Sequence, residues 1–308
     1  MSIYYIDRKD GQVKQEEVAA YRMLKWTYET RVGKTLLELL IKKKIFSSFL
    51  GLFMETKLSK RKIDSFVNSL RIEMSEAERE KTHEYKNFND FFARKLKAEA
   101  RPVCQNDISM ISPVDGRLLA YENIDLYSEI EVKGERYKLL DIFQDSEMAS
   151  EFDSGTCVIA RLSPIDYHRF HFPDNGSAHE SKRVKGYYYS VNPLTMFSFI
   201  DVYCRNKREI TKFDSDNFGE MCLVEVGATA VGSIVQTYQA NSHIEKGAEK
   251  GYFKFGGSTV IMFIKKNKIV IDRDIIRNTD LGYETKVNIG ERIGLKYKMQ
   301  KKSTDVHV

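Results

Sequence analysis

From residue 108 onward the chain falls into short β-branched and aromatic runs separated by Gly, Asn, Asp and Pro. The runs lie at 130–132, 157–162, 220–226, 232–238, 259–264 and 268–271, and 287–294 reads as a last strand and turn. That spacing predicts strands joined by turns. Strands do not alternate with helical segments and there is no Gly-rich dinucleotide fingerprint, so an antiparallel barrel or sandwich is the class expected. Arg101-Pro102 marks a break before this part. Ahead of the break, after a short extended lead-in, the pattern from Val18 to Leu70 is helical, and 64–81 reads as a further charged helix. The expectation is α+β: a helical, membrane-associating N-terminal region at 1–100 and a mostly-β barrel or sandwich-like catalytic domain at 101–308.

Within the β part, Phe255-Gly256-Gly257-Ser258-Thr259 lies between Lys250-Gly251-Tyr252-Phe253-Lys254 and Val260-Ile261-Met262-Phe263-Ile264. Two strands with a glycine bend between them would display one serine. A serine hydroxyl beside an unhindered glycine carbonyl can attack its own backbone if a base takes the proton. The bland alternative is a bend serine at a strand end. Upstream candidates for assistance are Asp115 in Ser112-Pro113-Val114-Asp115-Gly116 and the pair His168 and His171 in Asp166-Tyr167-His168-Arg169-Phe170-His171-Phe172-Pro173. Two histidines three apart on a helix could ligate zinc. Here Pro164 and Pro173 bracket them, no Glu follows the first His, and no third ligand is suggested, so no metal is expected.

The formal net charge is +5. From Arg22 to Lys62 there are eleven Lys or Arg and three Glu, a local balance of +8, so the remainder carries about −3. A basic N-terminal surface points to an anionic partner. No nucleic-acid motif accompanies it, which leaves acidic lipid. The run Ile45-Phe46-Ser47-Ser48-Phe49-Leu50-Gly51-Leu52-Phe53-Met54 follows three lysines. It is too short to span a bilayer and reads either as an interfacial helix or as a core helix with a basic collar. The four cysteines show no paired spacing, and Cys157 and Cys222 sit in apolar strand runs, which fits a reducing compartment. Met1-Ser2-Ile3-Tyr4-Tyr5 leads into charged residues with no secretory leader pattern.

Taken together, Ser112-Pro113-Val114-Asp115-Gly116, the Asp166 to Pro173 segment, Tyr189-Ser190-Val191-Asn192-Pro193, Val226-Gly227-Ala228-Thr229-Ala230-Val231-Gly232-Ser233-Ile234 and the segment at 246–259 resemble the phosphatidylserine decarboxylase family, in that family's order. The Phe91-Phe92-Ala93-Arg94 segment is similar to one that precedes the family's catalytic domain. Gly256 departs from the family, many of whose members carry leucine there.

The resemblance implies a self-cleaving proenzyme. Ser258 attacks the Gly257 carbonyl, the amide becomes an ester, and β-elimination leaves dehydroalanine, which hydrolyses to a pyruvoyl group with loss of ammonia. It implies His171 as base, Asp115 as its orienter, and His168 as the proton-handling group of decarboxylation. Tyr189 and Asn192 would lie near the substrate. The covalent pyruvoyl group would form a Schiff base with phosphatidylserine and release carbon dioxide and phosphatidylethanolamine, in place of pyridoxal phosphate. Large and small cleavage chains would stay together as a heterodimer, peripheral at the cytoplasmic face of the cell membrane, with homo-oligomerisation left open. Three alternatives stand beside this reading. They are a pyruvoyl enzyme for another amine, a β-domain binding module whose serine never cleaves, and a serine hydrolase, which would lack the nucleophile-elbow pattern at Ser258.

Overall fold

A computed structural model describes residues 3–16, 50–125, 130–132, 135–138, 142–143, 145–187, 202–227, 233–256 and 258–298. Its main sheet follows the order β14 (His243–Ile244), β9 (Gly176–Ala178), β11 (Arg208–Ser215), β12 (Gly219–Gly227), β16 (Ser258–Ile264), β7 (Gly155–Leu162), β4 (Gly116–Ile124), β18 (Glu284–Val287), β1 (Tyr4–Asp7) and β2 (Gln12–Gln15). A further strand, β10 (Lys182–Val184), pairs β11. All these pairings are antiparallel except β1 with β18. Two three-stranded sheets pack with it: β13 (Ile234–Gln236), β15 (Glu249–Phe253) and β8 (Arg169–His171); and β17 (Ile269–Ile271), β19 (Arg292–Lys296) and β3 (Ser109–Ile111). Strands β5 (Ile130–Val132) and β6 (Glu135–Tyr137) form a hairpin. Among the described residues the main sheet runs from β14 to β2 without closing. The expected α+β class holds in its sandwich-like form rather than as a barrel.

The centre of the sheet explains its sequence. Every residue of β7 and β16 is buried, so their middles, Cys157–Ala160 and Val260–Ile264, read as continuous apolar runs instead of alternating. Successive side chains nevertheless face opposite layers. Leu119, Cys157, Ile159, Cys222, Val224, Ile261 and Phe263 pack in one core, while Leu118, Val158, Ala160, Leu223, Val260 and Met262 pack in the other. The four cysteines are free, and Cys157, Cys204 and Cys222 are buried.

Helices among the described residues include α1 (Ile63–Leu70), α2 (Phe88–Phe92), α3 (Ser146–Ser150), α4 (Val202–Arg205) and α5 (Arg273–Asp280). The charged helix expected over 64–81 stops at Leu70, because Arg71 takes the left-handed conformation (φ 51°) and terminates it. Ile72 then turns into a hydrophobic layer. Asn87 caps α2, its side chain accepting the Asp90 N–H at 2.9 Å. Met54, Ile63, Tyr85, Phe88, Phe91 and Phe92 fill this layer, with Leu50, Phe53, Phe66 and Phe255 against it. Residues 17–49, which carry most of the basic segment, lie outside the described residues. Of the apolar run that follows the lysines, Leu50 and Phe53 join the aromatic layer while Leu52 is 68 % exposed. No helix among the described residues is long and apolar enough to cross a membrane.

The extended lead-in is a β-hairpin. Its β1 edge joins the main sheet, and Glu16 just beyond it enters a buried charge cluster. Arg161 holds Glu16 at 2.5 Å and Glu284 at 2.7 Å, and Arg117 pairs with Asp166 beside it. Burial works against the charged Glu16 carboxylate, but Arg161 and Arg117 outweigh it and hold its pKa well below the usual range.

Candidate active site

Ser258 is the first residue of β16, and its backbone is paired to Gly227 of β12 on one side and Leu162 of β7 on the other. The serine is fully buried, and among the described residues its hydroxyl has no hydrogen-bond partner. A buried hydroxyl without a partner is costly, so a structure that holds one calls for an explanation. Two residues earlier Gly256 takes φ 140°, a conformation L-residues rarely adopt, which bends the chain between β15 and β16. Gly257 and the 228–232 segment lie outside the described residues, as do Tyr189 and Asn192.

His168 lies beneath an aromatic lid. Its ring is 3.8 Å from that of Phe92, which packs 5.2 Å from Phe255, three residues before the serine. Its backbone carbonyl accepts the Phe253 N–H at 2.9 Å, which ties the histidine loop to the strand leading into the bend. Nδ1 lies 2.9 Å from the Asp166 carbonyl. A carbonyl only accepts, so Nδ1 carries the proton and Nε2 holds the lone pair. That Nε2 is buried and unpaired among the described residues. Burial, reinforced by the Arg94 charge, pushes the His168 pKa down to about 3, so the imidazole is neutral.

His171 has the same tautomer for the same reason. Nδ1 donates to the Gly247 carbonyl at 2.7 Å, and Nε2 is 3.4 Å from the Tyr167 hydroxyl. Burial lowers its pKa, opposed by the Gly247 carbonyl and by the charges of Glu249 and Asp115. The Asp115 carboxylate is nearby but forms no hydrogen bond to His171. It accepts Arg101 Nε at 3.0 and 2.9 Å and Nη2 at 2.7 Å, and the Ile289 N–H at 2.8 Å. Arg101 in turn reaches Glu76 at 2.9 Å. Asp115 therefore acts on His171 through its field, favouring the protonated ring, while the Gly247 carbonyl orients it.

Among the described residues no hydrogen bond links Ser258, His171 and Asp115 to one another. The fold brings His168 into the neighbourhood of the serine through Phe92, Phe253 and Phe255, and places His171 and Asp115 in mutual electrostatic range. Sequence reasoning did not single out Arg94, Arg101 or Tyr167. The Phe91-Phe92-Ala93-Arg94 segment was the available signal for Arg94. No group of three or more His, Cys, Asp or Glu side chains is arranged to hold a metal ion among the described residues.

The sequence model of a family described as phosphatidylserine decarboxylase matches residues 88–295. The chain belongs to the phosphatidylserine decarboxylase family. A phosphatidylserine decarboxylase proenzyme of Clostridium botulinum is 51 % identical over 294 residues, covering 96 % of this chain and 99 % of the relative. One of Clostridium perfringens is 51 % identical over 290 residues, covering 94 % and 98 %. One of Clostridium kluyveri is 50 % identical over 295 residues, covering 96 % and 99 %. The match spans the bend, both histidines and the helical layer that covers them.

Proposed function

We propose that this chain is a proenzyme that cuts itself between Gly257 and Ser258 and then decarboxylates phosphatidylserine to phosphatidylethanolamine. The observation that carries the reading is Ser258: a fully buried serine, unpaired among the described residues, at a glycine bend inside the central strands. The Ser258 hydroxyl attacks the Gly257 carbonyl. The C–N bond breaks as the C–O bond forms, and the hydroxyl proton ends on the serine nitrogen. His171 takes that proton through its Nε2 lone pair, released from Tyr167 in the reacting conformation. The Asp115 charge favours the imidazolium that forms. Loss of the Ser258 α-proton with cleavage of its Cβ–O bond frees the Gly257 carboxylate. Water then replaces the nitrogen, which leaves as ammonia.

The pyruvoyl group so formed supplies an electron sink for the pair of electrons left behind by carbon dioxide. The chain's own residues fit that use. Ser258 stays anchored between β12 and β7 after the cut, and His168 Nε2 is an open proton acceptor held beneath Phe92. Cleavage does not release the small chain. Strand β16 remains between β12 and β7, β18 between β4 and β1, and β19 beside β3. The product is a heterodimer knitted through two sheets.

The enzyme works peripherally, at the cytoplasmic face of the cell membrane. The basic balance from Arg22 to Lys62 and the exposed Leu52 support that reading. Intact mass and N-terminal chemistry of the purified protein, with Ser258→Ala beside it, test the proposal. Two chains with a blocked small chain are expected from the wild type, and one full-length inactive chain from the variant. A wild type that stays in one piece and is active contradicts it.

A further inference from the structure

Arg94 follows α2, and its side chain is only 4 % exposed. One guanidinium nitrogen, Nη2, donates to the Ile165 carbonyl at 3.2 Å and lies 3.5 Å from that of Asp166. The other two, Nε and Nη1, are buried and find no acceptor among the described residues. The guanidinium stands 5.4 Å from the centre of the Phe91 ring. Arg117 also has two nitrogens, Nε and Nη2, without acceptors among the described residues, but other buried arginines here have carboxylates or several carbonyls to offset the charge. Arg161 lies between Glu16 and Glu284, Arg117 faces Asp166, and Arg208 donates to the carbonyls of Ile142, Cys204 and Asn206. Among the described residues no carboxylate lies within ion-pair distance of Arg94. A buried charge without a counter-ion is strongly unfavourable unless something supplies one.

Its position says what that is. The Asp166 carbonyl is shared: His168 Nδ1 donates to it at 2.9 Å, and Arg94 Nη2 lies 3.5 Å from it. A pair of free donors and a free acceptor, His168 Nε2, are thus fixed by one peptide group beneath the same aromatic layer.

We propose that Arg94 takes the phosphodiester of the lipid headgroup as its counter-anion, through buried N–H donors that have no acceptor among the described residues, while His168 serves the reacting carbon. This assignment rests on the phosphatidylserine reading above. A phosphodiester is an anion whose oxygens accept the directed N–H donors of a guanidinium. The departing carboxylate is the other anion of this substrate, and chemistry argues against it. Its charge is dispersed as carbon dioxide forms, so a tight ion pair to it would stabilise the ground state more than the transition state. The phosphodiester keeps its charge throughout.

The test compares mature wild type, Arg94→Met and Arg94→Lys on phosphatidylserine in mixed detergent micelles of varied lipid fraction. Self-cleavage, which uses no lipid, reports folding of each variant. Arg94→Met is expected to raise KM by about tenfold or more and to change kcat by less than about threefold. Arg94→Lys, which keeps the charge without the directed guanidinium donors, is expected to fall between. Glycerol 3-phosphate is expected to inhibit the wild type competitively and to lose that effect in Arg94→Met. An unchanged KM in a variant that cleaves overturns the assignment alone. So does a fall in kcat at constant KM, which would place Arg94 on the carboxylate or in positioning His168. If Arg94→Met fails to cleave, Arg94→Lys decides by the same KM. A wild type that cleaves yet leaves phosphatidylserine untouched overturns the lipid substrate and the assignment with it.

Discussion

His171 turns its Nδ1–H onto the Gly247 carbonyl at 2.7 Å, and that contact, rather than one to Asp115, fixes the tautomer that leaves Nε2 as a base. Asp115 is committed to Arg101 and to the Ile289 N–H. Its influence on His171 is the field of a fixed negative charge. Asp115→Asn keeps an acceptor for Ile289 and removes the charge. It is expected to slow self-cleavage by about tenfold or more, since each tenfold is about 1.4 kcal/mol of barrier. The small-chain band on denaturing gels, followed over time, measures it. Cleavage at the wild-type rate would remove Asp115 from the mechanism.

Tyr167 touches Nε2 of His171 in the uncut chain. Tyr167→Phe frees that lone pair and is expected to mature at or above the wild-type rate, whereas His171→Ala is expected to remain a precursor. The same time course compares them. A Tyr167→Phe precursor that accumulates would place the phenol in the proton path.

The pH dependence has a definite sign. Burial lowers the pKa of both histidines in the folded chain, to about 3 for His168. The unfolded chain therefore binds these protons first as pH falls below its ordinary histidine value near 6.5. The stability they contribute is complete above that pH and is lost on acidification towards the folded values. The Glu16 carboxylate adds a loss in the same direction below about 4.5. Thermal midpoints of the uncleaved Ser258→Ala chain should fall between pH 7 and 5, and less steeply when His168→Gln is added. A flat profile in that window would contradict the burial of a neutral His168.

Much of the β part was legible. The runs expected at 157–162, 220–226, 259–264 and 268–271 appear as Gly155–Leu162, Gly219–Gly227, Ser258–Ile264 and Ile269–Ile271, because β-branched and apolar runs bounded by turn residues mark strands. The strand order was not legible, since β1 pairs β18 across nearly the whole chain and no local pattern encodes such a pairing. The lead-in was legible as extended but not as a hairpin, although its Asp10-Gly11 turn, with Gly11 at φ 69°, is a local signal. Asp115 and the two histidines were singled out through the family's motifs. Their partners were not, because Gly247 and Asp166 act through backbone carbonyls that any side chain would present.

Glu16 ties the N-terminal hairpin to the sheet through Arg161. Glu16→Gln leaves a buried arginine with one fewer counter-charge and is expected to cost on the order of 3 kcal/mol. Denaturant unfolding of the Ser258→Ala background measures it. A change below about 0.5 kcal/mol, the range of ordinary surface substitutions, would show that the cluster does not anchor the hairpin.

Leu52 is exposed while Phe53 packs in the aromatic layer. Leu52→Ser is expected to weaken binding to anionic vesicles and to leave self-cleavage intact. Phe53→Ser is expected to lower stability and cleavage together. Binding should also weaken with salt, as screening requires. Vesicle co-sedimentation scored beside cleavage on one preparation separates these outcomes. Unaltered vesicle binding by Leu52→Ser would take this turn off the membrane face.

The central claim is that Ser258 is consumed by the chain itself. Intact mass of freshly purified active protein tests it most directly. The expected result is a chain ending at Gly257 and a second spanning 258–308 that is lighter by one ammonia than the corresponding free peptide, with Ser258→Ala uncut. An active wild type of one uncut chain, or a Ser258→Ala variant cut at the same bond, would contradict it.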